Sequence, residues 1–280
     1  MSDSLKRVLV HLDSTPGSSV RLQAARDIAA QHGSAITALY AVAPCIADMP
    51  YSGDMTGSVA QSLALIDSER LAAARAAFER VLEAPGPMPA WSELDEFPVA
   101  GAFVQQAFYA DLLVLGQPDP AQRYATSLPA DFNQSVILAS GKPALIIPYI
   151  GGFKPAGETV LIAWKETREA ARALTASLPL LRQARKIHVI AWGAEPAPRI
   201  KGPHLDLEDY LRLHGLQAEI HLPGPEPESI GEMLLSRASD FEADLIVMGC
   251  YGHSRARELV LGGASRSILK SMTMPVLMAH

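Results

Sequence analysis

The stretch GCYGHSRARELVLGG, residues 249–263, directly follows the apolar run ADLIVM and concentrates residue types suited to anions. Gly249, Gly252, Gly262 and Gly263 let main-chain N–H groups approach a ligand closely. A helix starting at Gly262/Gly263 would aim its partial positive charge at the same place. Ser265 and Ser267 add hydroxyls to its first turn, and Arg255 and Arg257 place cations between the glycines. Together these features fit a phosphate pocket. They equally fit a glycine-rich strand-to-helix turn with nothing bound, and both readings stay open.

Other constellations are weaker. The chain has no GxxxxGK[ST] and no GxGxxG after the first strand of either half, so it carries neither a P-loop nor a dinucleotide fingerprint. GHSRA, residues 252–256, falls one residue short of a G-x-S-x-G nucleophile elbow. Beyond Ser254 only Glu258 and the terminal His280 could complete a triad, so no hydrolase site is expected. The histidines at 11, 32, 188, 204, 214, 221, 253 and 280 form no H-x-x-x-H pair on a helix, and no structural metal is expected. Cys45 and Cys250 cannot form a disulfide framework and read as free thiols. Trp164 and Trp192 end adjacent strands, so one of them is expected to line a slot there. Glu166 and Glu169 with Arg168 and Arg172 read as a solvated helix face.

These residues need a scaffold. With 49% apolar and 19% charged residues in 280, the chain can bury a large core as one domain or two. A net charge of −6 without a basic tract argues against nucleic acid as a partner. The opening MSDSLKRVLVHLD reads as a buried strand rather than a signal peptide. No apolar run approaches the ~20 residues that cross a bilayer, so a cytoplasmic protein without a membrane partner is expected.

RVLVHLD is the first strand, VRLQAARDIAAQH a helix closed by Gly33, and SAITALYAV the next strand. The order recurs: ETVLIAWK, ETREAARALTASLPLL and KIHVIAW read as strand, helix and strand. ADLLVLG and KPALIIP in the first half match ADLIVMG and MPVLMAH in the second. The repeat is uneven, because the first half carries roughly twenty extra residues, placed around residues 44–58 and in the helix after them. Strands alternating with helices, each strand a continuous apolar run, predict parallel sheets covered on both faces. In the second half the pattern predicts strands at 158–164, 186–192, 217–222, 244–249 and 275–279, with helices at 167–182, 204–214, 227–240 and 263–271. GFKPAGE, residues 152–158, is the expected linker.

The spacing G-x2-G-x9-G-G, with Ser265 shortly after, resembles the universal stress protein family, whose nucleotide-binding members carry G-x2-G-x9-G-(S/T) after the fourth strand. The resemblance extends over the whole chain as two tandem copies, 1–150 and 151–280. It is strongest in VMGCYGHSRARELVLGGASRSILKSMTMPVLMAH and in VLIAWKETREAARAL. It implies an α/β fold of two five-stranded parallel-sheet domains, Rossmann-like and similar to adenine-nucleotide alpha hydrolases. It also implies that the two pack as a pseudo-dimer through PALIIP and PVLMAH.

The same resemblance implies ATP or another adenine nucleotide, with or without Mg2+, in the second copy. Gly249, Gly252 and Gly262 match the phosphate-loop glycines, Gly263 replaces the first Ser/Thr, and Ser265 matches a later hydroxyl position. Ala163 and Trp164 would lie beside the adenine, and Val189 would offer it main-chain groups. Lys165 stands where nucleotide binders usually have Asp, exchanging an acceptor for a cation. Met248, Tyr251, His253, Arg255 and Ala264 complete the implied set. The first copy keeps Asp13, but no glycine soon follows Gly116, and Pro118 and Pro120 remove backbone donors. That copy is expected to bind no nucleotide. With no general base beside the loop, no catalytic residue is assigned and any ATP hydrolysis should be slow. The alternative is an interaction or scaffold protein of the same fold with both sites vacant. A homo-oligomer and a protein partner that the sequence does not identify are compatible with either reading.

Overall fold

The computed structural model describes residues 4–48, 57–122, 128–150, 156–193, 200–250, 252 and 263–280. They fall into two compact units, one within residues 4–153 and the other within 154–280.

In the N-terminal unit, β1 (Arg7–Leu12), α1 (Gly17–His32) and β2 (Ala35–Tyr40) follow the first predicted strand–helix–strand. Gly33 ends α1 in the left-handed conformation. The extra residues of this half lie partly in α2 (Gly57–Leu82), a helix of 26 residues. The unit continues with β3 (Ala90–Glu93), α3 (Val99–Ala107), β4 (Leu112–Gly116), α4 (Phe132–Ser140) and β5 (Ala144–Ile147). Its strands run in the order β3-β2-β1-β4-β5, all parallel.

The C-terminal unit contains β6 (Thr159–Ala163), α5 (Arg168–Leu181), β7 (Lys186–Ile190), α6 (Leu207–Leu213) and β8 (Glu219–His221). α7 (Ile230–Asp240), β9 (Leu245–Gly249), α8 (Ala264–Ser271) and β10 (Val276–Ala279) complete it. Its order, β8-β7-β6-β9-β10, is again all parallel and repeats that of the first unit position by position. Every predicted element of this half is present, trimmed by one to a few residues at its ends. The α/β fold with five parallel strands per unit stands as expected.

The repeat has a physical core. The central strands are buried along their length, as in Leu161 and Ile162 of β6 and Ile246 and Val247 of β9. The aspartate of each ADL motif fastens the neighbouring strand. Asp111 accepts hydrogen bonds from the Lys6 and Arg7 N–H groups at 2.7 and 2.9 Å. Asp244 does the same for Gly157, Glu158 and Thr159 at 2.7, 3.0 and 3.3 Å. In both units the strand order reverses between the first and fourth strands, which opens a crevice at their carboxyl ends. Among the described residues, no helix is long and apolar enough to cross a membrane.

Candidate functional site

The carboxyl ends of β6, β7 and β9 open onto a cavity of about 610 Å3. That size falls in the roughly 300–1,000 Å3 range of small-molecule sites. One wall is carried by the ends of β6 and β7. There the Trp164 N–H donates to the Ile190 carbonyl at 2.9 Å, and Ala163, Trp164, Ile190 and Trp192 line the space. The same cavity gathers the amino ends of three helices. Thr167 caps α5, its hydroxyl accepting from the Ala170 N–H at 3.3 Å. Ser229, Ile230 and Gly231 begin α7, and Gly263, Ala264 and Ser265 begin α8. Helix amino ends present unpaired N–H groups and partial positive charge to whatever lies between them.

The glycines divide into two kinds. A Cβ on Gly249 would stand 2.4 Å from the Ala170 nitrogen and 2.5 Å from the Glu169 carbonyl carbon, so β9 lies against the backbone of α5 only because that carbon is missing. A Cβ on Gly252 would meet the Glu169 side chain, nearest at Oε2, 2.9 Å. Gly249 therefore serves the packing of strand on helix, whereas Gly252 borders the open space.

Of the predicted set, Ala163, Trp164, Lys165, Met248, Gly249, Gly252, Gly263, Ala264 and Ser265 all line this cavity. Val189 does not line it. The main-chain groups expected of Val189 lie one residue short of the lining, which β7 supplies through its last residue, Ile190. Tyr251, His253, Arg255 and Gly262 lie outside the described residues, as do Ser254, Arg257 and Glu258. Both Trp164 and Trp192 line the slot, where one was expected.

The carboxylates were missed. Glu169 was expected on a solvated helix face, yet it is 3% exposed and points into the cavity. It pairs with the adjacent Arg168, while Arg172 donates to the His280 carbonyl at 2.9 Å. Burial pushes the Glu169 carboxyl up, but the hydrogen bond and charge of Arg168 outweigh it and hold the group ionised below its ordinary range. Glu226 and Glu228 line the same space, and Glu226 holds Lys165 at 3.1 Å. The only sequence signal for Glu169 is its place two residues after a threonine cap, where an acidic side chain meets the helix dipole. No histidine or cysteine lines the cavity among the described residues, so its bases are carboxylates. Cys250 is buried, its thiol directed at the Ala279 carbonyl.

The corresponding crevice of the N-terminal unit holds about 440 Å3 but is filled differently at its base. Arg21 of α1 ion-pairs with Asp13 at 2.9 Å, both side chains buried, and donates to the His11 carbonyl at 2.8 Å. Its guanidinium lies against Gly116, where a Cβ would stand 2.4 Å from Nη1. The charge pair has no counterpart in the other unit, where aligning Asp13 with Lys165 sets the small Ala173 against Arg21. Burial would raise the Asp13 carboxyl, yet Arg21, His11 and Thr15 hold it far below the usual carboxylate range. Burial, reinforced by Arg21, lowers the His11 imidazole to about 4.

A sequence model of the universal stress protein family matches residues 117–280. A curated relative, the universal stress protein Slr1230 of Synechocystis sp. (strain ATCC 27184 / PCC 6803 / Kazusa), is 26% identical over 176 residues. The match covers 60% of this chain and 57% of that relative, so the chain spans little more than half the relative's length. A universal stress protein from Archaeoglobus fulgidus DSM 4304 shares the fold over 98% of this chain and 95% of its own, with a TM-score of 0.68 and 15% identity. A functionally unknown protein of Pseudomonas aeruginosa PAO1 does so over 98% and 92%, with a TM-score of 0.55 and 15% identity.

Proposed function

Since the chain belongs to the universal stress protein family, we propose that it is a cytoplasmic regulatory protein that binds ATP or a related adenine nucleotide in the C-terminal cavity. One observation carries the reading: a cavity of about 610 Å3 lined by two tryptophans and Ala163 together with three helix amino ends. A flat aromatic base suits the tryptophans and a polyanion the helix ends. Lys165 would reach toward the anion when it leaves Glu226. Glu169 beside Gly252 offers oxygen ligands of the type Mg2+ prefers, and a bound Mg2+ would offset repulsion between carboxylate and phosphate. The N-terminal crevice is read as a structural counterpart, its base filled by the Arg21–Asp13 pair.

A second reading, an interaction protein with a vacant cavity, draws on the same carboxylates. Glu169, Glu226 and Glu228 outnumber the one described cation, Lys165, which is already paired. Acid extraction of the purified full chain, followed by chromatography of the extract and calorimetric titration with ATP, ADP and AMP with and without Mg2+, separates the two. Recovered nucleotide or saturable binding is expected, and Gly252→Val should abolish it. An empty extract together with no heat of binding for any of the three would remove the nucleotide reading.

A further inference from the structure

Two histidines and a glutamate meet on one face of β7 and β8, apart from the cavity lining. In the parallel register His188 faces Glu219, and His221 lies two residues further along β8, hence on the same face as Glu219. His188 Nδ1 is 3.1 Å from His221 Nε2. Glu219 Oε2 lies 3.5 Å from His188 Nδ1, and Oε1 lies 3.8 Å from His221 Nε2. Phe241, which follows α7, stacks on both rings, with centroids at 4.4 and 4.6 Å and planes inclined by 10° and 22°. It forms a flat floor that fixes both imidazoles with these nitrogens turned toward each other.

We propose that His188, His221 and Glu219 bind a divalent transition-metal ion of the Zn2+ class. Four-coordinate zinc with bonds of 2.0–2.2 Å keeps its ligand atoms about 3.3–3.6 Å apart, and the separations seen here bracket that span. Two imidazoles and one carboxylate select Zn2+ and its neighbours over Mg2+ or Ca2+, which require oxygen sets. Without metal one facing nitrogen donates to the other; when the ion binds, that ring takes its other tautomer, its proton passing through solvent to its far nitrogen, so both imidazoles stay neutral and no net proton is released. His188 and His221 are 12% and 25% exposed while Glu219 is 68% exposed, so the carboxylate closes the site from the solvent side and leaves the fourth position to water. Lys186, on the same face of β7, is the opposing charge nearest in sequence. Long-range pairing explains why the spacing of histidines along the chain hides the site: its ligands are 33 residues apart and meet only across two strands. A bound ion would tie β8, an edge strand of three residues, to β7.

The full chain, stripped with chelator, should take up one Co2+ with visible ligand-field absorption, lose that absorption to Zn2+, and melt at higher temperature in the presence of Zn2+. H221Q should abolish all three responses. E219Q, which alters only an exposed carboxylate and leaves folding untouched, should weaken binding by more than about tenfold, the loss that even an outer-shell change produces. H204Q, a surface histidine beside Asp206, should behave as the parent. Absence of saturable Co2+ or Zn2+ binding at millimolar ion, or binding unchanged in both H221Q and E219Q, would overturn the assignment.

Discussion

Replacing Gly249 and Gly252 separately by alanine tests which glycine serves the fold and which borders a ligand. At Gly249 the new methyl would sit 2.4, 2.5 and 2.9 Å from Ala170 N, Glu169 C and Ala170 Cα, all backbone atoms of the first turn of α5. No rotamer change relieves that contact, so α5 must retreat from β9. Overpacking of this kind costs about 1–3 kcal/mol. Three backbone contacts under 3.0 Å put the cost in the upper half of that range, about 2–3 kcal/mol; the alanine returns about 0.4–1 kcal/mol by restricting the unfolded chain, leaving a net loss of about 1–2.5 kcal/mol. At Gly252 the methyl meets Glu169 Oε2 at 2.9 Å and Cδ at 3.2 Å, the far end of a side chain that can swing aside. That variant should stay within about ±0.5 kcal/mol of the parent. Urea unfolding read by tryptophan fluorescence reports the C-terminal unit through Trp164 and Trp192. With a slope of about 2 kcal/mol/M, G249A should unfold about 0.5–1.2 M earlier and G252A at nearly the parent midpoint. Equal midpoints for the two variants, or greater damage from G252A, would refute the division.

Three further outcomes follow. His11 is held at about 4 against an ordinary 6.5, so its neutral ring contributes fully above pH 6.5 and that contribution is lost as pH falls toward 4. About 2.5 units correspond to roughly 3 kcal/mol, and H11N should flatten the melting-temperature profile across that window; parallel profiles would contradict it. R21M leaves the buried Asp13 carboxylate unpaired, which costs about 3–5 kcal/mol, and D13A/R21M should recover part of the loss; calorimetric melting of R21M within about 1 °C of the parent would deny the pair its structural weight. E169Q removes a carboxylate from the cavity, and one like charge at 4 Å costs about 1 kcal/mol even in bulk water. It should therefore tighten Mg2+-free ATP binding roughly fivefold or more by calorimetry, and weaker binding would place Glu169 among the groups that hold the ligand.

The scaffold was legible because apolar runs bounded by glycine, proline and charge leave few alternatives. β9 from Leu245 to Met248 and β10 along its whole length are buried, continuous apolar runs of the kind that form parallel strands covered on both faces. Most of the cavity lining could also be read, since a residue at the carboxyl end of a strand is placed by topology alone. Side-chain direction was harder. The face a side chain takes changes with each position on a strand, and of β7 it is Ile190 that lines the cavity. Glu169 was misread for a related reason: charge patterning on a helix predicts pairing between neighbouring turns, whereas this carboxylate pairs with Arg168 beside it and turns inward to the helix amino end. His188 and His221 were unreadable as a pair because their meeting depends on the register of β7 with β8.

The two crevices show how one topology yields different chemistry from the charge placed at its base. In the N-terminal unit Arg21 and Asp13 neutralise each other at close range, and the guanidinium lies against the glycine that ends β4. Among the described lining residues the charge outside that pair is Asp119, which repels a polyanion. In the C-terminal unit the base is the alanine-lined start of α5; Lys165 pairs with Glu226 at the exposed rim, and the buried Glu169 pairs with the exposed Arg168. The Lys165–Glu226 pair, about half exposed on both sides, is weak, worth about 0–1 kcal/mol, so an incoming anion can compete for Lys165 at little cost. Three helix amino ends supply the attraction that persists after such an exchange. Under the proposed function, binding in this unit would turn on whether Glu169 is offset by a cation, which makes the Mg2+ dependence of nucleotide affinity the most direct test of that proposal.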